Sequence, residues 1–219
     1  MDASLASQTA LTDFLNDGSH YDALHDKLSE DVEFWVRRAH RCGGTMFELS
    51  CGTGRISIPM ANSGIPVVGI DSSEAFLQHA ARKVAGRDVK VTWRQGDFRS
   101  FSLGERFSLV TFPFRSVSVL LSGGELNFCF GCVRRHLQQE GLFILDAFKP
   151  FSVPPLANSS SFAYLGPNQN GMIEVQCQKA YDVQSRVQTA TFQFSPSGHR
   201  RELKLCLHTT EQLVDTLEA

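Results

Sequence analysis

The stretch from Thr45 to Ala61, TMFELSCGTGRISIPMA, constrains this chain of 219 residues more than any other. A short apolar run, Met46 and Phe47, leads to an acid, Glu48, and then to a glycine turn, Gly52-Thr53-Gly54. Ile56, Ile58 and Met60 follow as the apolar side of a helix. Strand, tight turn and helix in that order form the first half of a nucleotide-binding βαβ unit. Glycines in such a turn let the backbone approach a ligand where a Cβ would block it. The second half is on schedule. Gly64-Ile65-Pro66 turns the chain, Val67 to Ile70 reads as a buried strand, and Asp71 ends it. An acid about 20 residues beyond the glycine turn is placed to accept from both hydroxyls of a ribose.

Length and motif spacing argue for one domain, 1–219. A formal charge of -2 gives no electrostatic reason for nucleic acid or an anionic membrane as partner. Six cysteines without extracellular-style pairing read as reduced thiols. No basic segment followed by an apolar run opens the chain, and no apolar stretch reaches the length of a membrane span. A cytoplasmic location is therefore expected.

Glu48-Leu49-Ser50-Cys51-Gly52-Thr53-Gly54-Arg55 resembles motif I of the class I S-adenosylmethionine (SAM)-dependent methyltransferases of small-molecule type. Gly69-Ile70-Asp71-Ser72-Ser73 is similar to that family's acidic loop, and Gln95-Gly96-Asp97-Phe98 to its adenine-contacting motif. The resemblance spans roughly residues 20 to 150 and implies an α/β, Rossmann-like fold with a mostly parallel, doubly wound sheet. It implies SAM as cofactor, with S-adenosylhomocysteine as product, and no metal. By the same resemblance the glycine turn, Ser50 to Arg55, and the helix start behind it receive the methionyl part. Glu48 holds the α-amino group, Asp71 the ribose with Ser72 beside it, and Asp97 the adenine, with Gly96, Phe98 and Phe112 around it. Ser50 departs from the pattern, since the family usually has its first glycine there.

Residues 1–17 read as an arm with a short amphipathic piece around Leu11, Phe14 and Leu15. The segment 1–44 is expected to be helical in part. The pair Tyr21-Asp22 has family character; Tyr21 either lies over the methionyl end of the cofactor or packs the N-terminal helix on the sheet. Ser29 is a candidate cap for a helix carrying Val32, Trp35 and Val36. A third strand is expected over Val89–Arg94 and a fourth over Phe107–Phe112. The fourth empties into Pro113-Phe114-Arg115-Ser116, which puts that run beside the reacting sulfonium. Phe114, Arg115 and Tyr21 are the candidate catalytic residues, with Arg115 either anchoring a substrate anion or bracing the loop. Gly123 opens a helix whose Cys129, Cys132 and His136 read as packing rather than as metal or redox groups. The fifth strand is expected over Leu142–Phe148, with Asp146 near its end.

Beyond Lys149, prolines and Asn158-Ser159-Ser160-Ser161 read as a flexible connector. Three alternating pieces, Met172–Lys179, Arg186–Phe194 and Arg200–Leu207, then predict an antiparallel meander. Residues 150–208 are thus an inserted sheet or lid, from which Tyr164 or Tyr181 could reach the pocket. Thr209 caps a last helix. The resemblance implies two more strands after it, while the sequence stops at Ala219. Either the meander or a second copy then covers the edge of the fifth strand, the latter giving a homodimer through the inserted sheet or that edge, or the protein is a shortened one of reduced stability. The expected activity is methyl transfer to a small-molecule acceptor by in-line displacement, with amine favoured over hydroxyl because no His–Asp dyad stands out. A SAM-fold binder without turnover is the alternative. A dinucleotide dehydrogenase is disfavoured, because Ser57 stands where the third glycine of its fingerprint belongs.

Overall fold

The computed structural model describes residues 18–25, 28–148, 158–167 and 171–218; the N-terminal arm and the prolines of the connector lie outside these residues. Helices α1 (Ser19–His25) and α2 (Val32–Cys42) precede an alternating series. It runs β1 (Met46–Leu49), α3 (Ser57–Asn62), β2 (Val67–Asp71), α4 (Glu74–Val84), β3 (Val91–Gln95) and β4 (Phe107–Phe112). After a 3-10 turn at Ser116–Val119 come α5 (Gly123–His136) and β5 (Leu137–Leu145). The strands pair in the order β3-β2-β1-β4-β5, all parallel. This is a doubly wound sheet, as the resemblance implied, with the strand order reversing between β1 and β4.

Burial on both faces is what a parallel sheet flanked by helices requires. Residues alternate between two cores along each strand. Phe47, Leu49, Val110 and Phe112 face a cluster with Leu126, Phe130 and Val133 of α5. Met46, Val67 and Leu109 face Trp35 and Ala39 of α2 and Ile56 and Met60 near α3. Cys129, Cys132 and His136 pack inside the first cluster, as expected. His136 Nδ1 donates to the Cys132 carbonyl (2.7 Å), and its Nε2 accepts from the Leu103 N–H (2.9 Å).

Two expectations are corrected in this part. Helix α2 starts at Val32, not at Ser29. Asp31 sits at its N-cap without capping it, because its carboxylate is taken by Arg55 and by Trp35 Nε1. Strand β5 begins five residues early, directly after α5. Gly141 is not its start but the site of a register shift, where a Cβ would come 2.9 Å from the Phe107 carbonyl oxygen.

The second sheet is antiparallel, with β6 (Asn158–Leu165), β7 (Met172–Asp182), β8 (Val187–Ser195) and β9 (Arg200–Cys206) in sequential order. It has four strands rather than three. Asn158–Leu165, whose first four residues were expected in the connector, pairs with β7 along its whole length. Val175 and Cys177 of β7 lie opposite Phe194 and Phe192 of β8, and Ala190 lies opposite Leu203 of β9. Tyr164, Val175 and Phe194 pack against Ala23 and Leu24 of α1, so this sheet covers the mouth of the parallel one. Helix α6 (Thr210–Glu218) closes the described chain. Its first turn is a capping box: Thr209 Oγ1 accepts from Gln212 N–H (3.2 Å), and Thr209 N–H donates to Gln212 Oε1 (3.0 Å). No described helix is long and apolar enough to cross a membrane.

Candidate functional site

The carboxyl ends of β1 and β4, where the sheet reverses direction, bracket a crevice of about 100 Å³. Glu48, Ser50, Cys51, Gly52, Arg55 and Asp71 form its floor, with Tyr21, Phe76, Pro113, Phe114 and Ser116 as walls. Ser50 holds φ +54°, a left-handed conformation that costs a side-chain-bearing residue about 1–2 kcal/mol. The family's usual glycine meets the same turn without that cost. Gly52 is open toward the crevice, since a Cβ there would meet nothing nearer than Phe76 at 3.9 Å. Gly54 has another reason. A Cβ there would come within 2.8–2.9 Å of Ile58 and Trp93, so this glycine serves close packing and does not face the crevice.

Two of the three acids named from the sequence as cofactor contacts, Glu48 and Asp71, line the crevice. Glu48 is buried beneath the turn and accepts from the Ser57 hydroxyl; burial pushes its carboxyl up to about 8. Asp71 is also buried, and burial raises its pKa above the ordinary carboxylate range. Its two oxygens accept from the N–H groups of Gly52 and Ser73, each at 2.9 Å. The turn's own donors are partly spent: Cys51 N–H goes to Ile70 O, Gly52 N–H to Asp71 and Gly54 N–H to Cys51 O. The helix behind the turn has only six residues. Backbone N–H groups and helix dipole are therefore weaker anion receptors here than the sequence implied, and the side chains define the crevice.

Arg55 crosses the site. Its guanidinium forms a forked pair with Asp31 (2.6 and 2.9 Å), donates to Leu28 O (2.9 Å) and lies 4.6 Å from the centre of the Phe114 ring. That fork holds the Asp31 carboxyl below its usual range. Tyr21 on α1 lies over the crevice and touches Phe76 and His25, with burial raising its hydroxyl pKa. Helix α1 is fixed there by Asp22, which accepts from Thr53 Oγ1 (2.5 Å), His79 Nε2 (2.9 Å) and Lys83 Nζ (2.7 Å). This His–Asp pair escaped the sequence reading, because 57 residues separate its members. It lies behind the turn, outside the crevice, with Thr53.

The residues expected on the adenine side lie outside this crevice. Asp97 is engaged by the Arg99 guanidinium at 2.6–3.0 Å, and Arg99 also reaches Glu125 at 2.9 Å. Phe98 and Phe112 pack on each other in the core, and Gly96 lies against Ile70. Ser72 is exposed at the strand tip. None of these five lines the crevice. Ser116, of the run expected beside the sulfonium, lines it too; Ile56 and Phe76 also line it and were not named from the sequence, because apolar positions carry no chemical signal of their own.

Tyr21, Phe114 and Ser116 are also walls of a second, larger cavity of about 500 Å³, which lies between the parallel sheet and the meander. Phe114 and Arg115 both have left-handed φ, 62° and 57°, which turns the Arg115 side chain into this cavity and over the Phe148 ring. Arg115 N–H donates to Asp146 (3.1 Å). Tyr164 reaches the cavity and meets His20 Nδ1 at 3.0 Å, whereas Tyr181 is not among the lining residues.

Residues 46–141 match the methyltransferase domain family. Over 147 residues it is 31% identical to the protein YqeM of Bacillus subtilis, covering 64% of this chain and 59% of that protein. Over 133 residues it is 29% identical to the dTDP-3-amino-3,6-dideoxy-alpha-D-glucopyranose N,N-dimethyltransferase of Streptomyces fradiae, covering 58% of this chain and 51% of that enzyme. The chain thus spans between about half and three fifths of the length of the curated relatives it matches. The fold of the parallel sheet with its helices and of the meander is that of the CcbJ methyltransferase of Streptomyces caelestis. The TM-score is 0.73 at 21% identity, over 91% of this chain and 85% of that one.

Proposed function

We propose that this protein moves a methyl group from SAM to an amine of a small molecule by in-line displacement, and that the described elements act together as one SAM-binding unit. The observation that carries the reading is the pair of buried acids, Glu48 and Asp71, flanking an open glycine at the sheet's reversal point, in a crevice that shares three walls with a larger cavity. The relative from Streptomyces fradiae, an N,N-dimethyltransferase of an amino sugar, supports nitrogen as the acceptor atom.

The residues fit the cofactor in chemistry. Glu48 meets a cationic α-amino group, and Asp71 retains lone pairs for ribose hydroxyls after its two backbone bonds. The crevice is smaller than the roughly 300–1,000 Å³ of ordinary ligand pockets. It suits the methionyl and sulfonium portion, with the ribose at Asp71. SAM supplies an activated methyl when bound. The protein's part is alignment, which can contribute about 7–11 kcal/mol toward the displacement. Tyr21 and Phe114 present aromatic faces on which a positive charge is favourable as it passes from sulfur to nitrogen. Tyr21 keeps its phenol protonated, because burial opposes its ionisation.

The narrow crevice and the strained Ser50 favour a second reading, a domain that holds SAM without turning it over. Calorimetric titration with SAM and then NADH tests the cofactor. Methyl transfer screened against amine and hydroxyl libraries separates enzyme from binder; SAM binding without transfer to either library would leave the second reading standing.

A further inference from the structure

The faces of β8 and β9 that look into the larger cavity are apolar, with Phe192, Phe194, Leu203 and Leu205, except at one position. Arg201 shares a face with Leu203 and Leu205 and lies opposite Phe192 in the strand register. Its Nη1 donates to the neighbouring Arg200 carbonyl (2.9 Å), and its Nε–H is buried with no hydrogen-bond partner. No carboxylate pairs with it among the described residues. A guanidinium is always charged, and a buried N–H on it without an acceptor is costly. Arg115 brings a second cation to the same cavity, and no Asp or Glu is among the lining residues. The remaining walls are mostly rings and aliphatic chains, which would leave the hydroxyls of a sugar without partners.

We propose that the larger cavity binds an acceptor with an apolar or aromatic body and an oxyanion, carboxylate or phosphate, with Arg201 as the anion's anchor. A guanidinium fork matches either oxyanion with two parallel hydrogen bonds. The inference rests on reading this cavity as the acceptor site, and it departs from a hydroxyl-rich sugar as substrate. Anion at the Arg201 end and nucleophile at the Phe114–Ser116 end would fix which way round the acceptor lies.

The test is calorimetric titration of the full chain with four probes: 4-phenylbutyrate, phenyl phosphate, 4-phenylbutanol and the uncharged sugar methyl glucoside. One of the two aromatic anions is expected to bind at least tenfold more tightly than the neutral alcohol. Arg201→Met should abolish that difference while leaving the alcohol unchanged, and Arg201→Lys should keep part of it. Should Arg201→Met fail to fold, judged by circular dichroism, the wild-type preference for the anions and its weakening with added salt decide instead. Equal binding of acid and alcohol would overturn the proposal, as would a preference surviving in Arg201→Met, or methyl glucoside outbinding both anions. SAM titrated into the same samples keeps the two readings apart. Loss of SAM binding with probe binding intact sinks the methyltransferase reading and not the anion site, and the reverse result does the opposite.

Discussion

Glu48 and Asp71 occupy adjacent strand tips, and each makes its own forecast. Burial holds the Glu48 carboxyl at about 8, against an ordinary 4.5. Between those values the folded protein keeps a proton that the unfolded chain has released, so raising pH through this window removes stability, by up to about 1.4 kcal/mol per pH unit. Chemical denaturation at pH 6 and pH 8 should show the loss, and Glu48→Gln should flatten it. A cationic α-amino group beside Glu48 favours the ionised form. SAM affinity should therefore climb from pH 6 to 8, with a proton released on binding, and calorimetry in buffers of different ionisation enthalpy reads that proton. Asp71→Ala should weaken SAM binding by about 1.5–3 kcal/mol, roughly 10- to 150-fold. Unchanged affinity would remove Asp71 from the ribose. Ser50→Gly should raise stability by about 1 kcal/mol or less, since relief of the left-handed backbone is offset by glycine's extra freedom when unfolded. The acids were legible because an acid at a strand tip has a chemical signature. What the spacing around Asp97 does not show is that its neighbour Arg99, which pairs with it, also reaches Glu125 of α5, 26 residues on.

Helix α1 holds Tyr21 over the crevice through Asp22, whose carboxylate gathers Thr53, His79 and Lys83 from the glycine turn and α4. Removing one partner of such a network leaves the others unpaired. Asp22→Ala should cost about 1–3 kcal/mol and speed amide exchange in residues 19–25, and unaltered exchange there would show that α1 is held by other contacts. Strands β1, β2 and β4 were readable from short apolar runs, because each lies between two buried faces. β5 was shifted because its first residues, Gln138 to Glu140, are polar and exposed, so the apolar signal begins only where the strand sinks into the sheet. β6 was missed because serines on an exposed strand carry no alternation to read, and its pairing with β7 supplies what its composition does not.

The molecule is two sheets joined around a cavity, and that arrangement was legible only as an ordering of α/β units followed by a meander. What the order could not give is the face the meander turns inward, which depends on packing against α1 and the turn after β4. The outer edge of β5 has no strand partner among the described residues, and Leu142 on it is half exposed. An unpaired strand edge is a template for association. Sedimentation velocity over a range of concentrations should show self-association, weakened by Leu142→Lys; a concentration-independent monomer would mean that the edge is protected. Tyr21, Phe114 and Ser116 stand between the two cavities and belong to both. A partition touched from either side cannot settle against one guest without altering its fit to the other. Whatever factor the first compound gives to the affinity of the second, the second must return to the first.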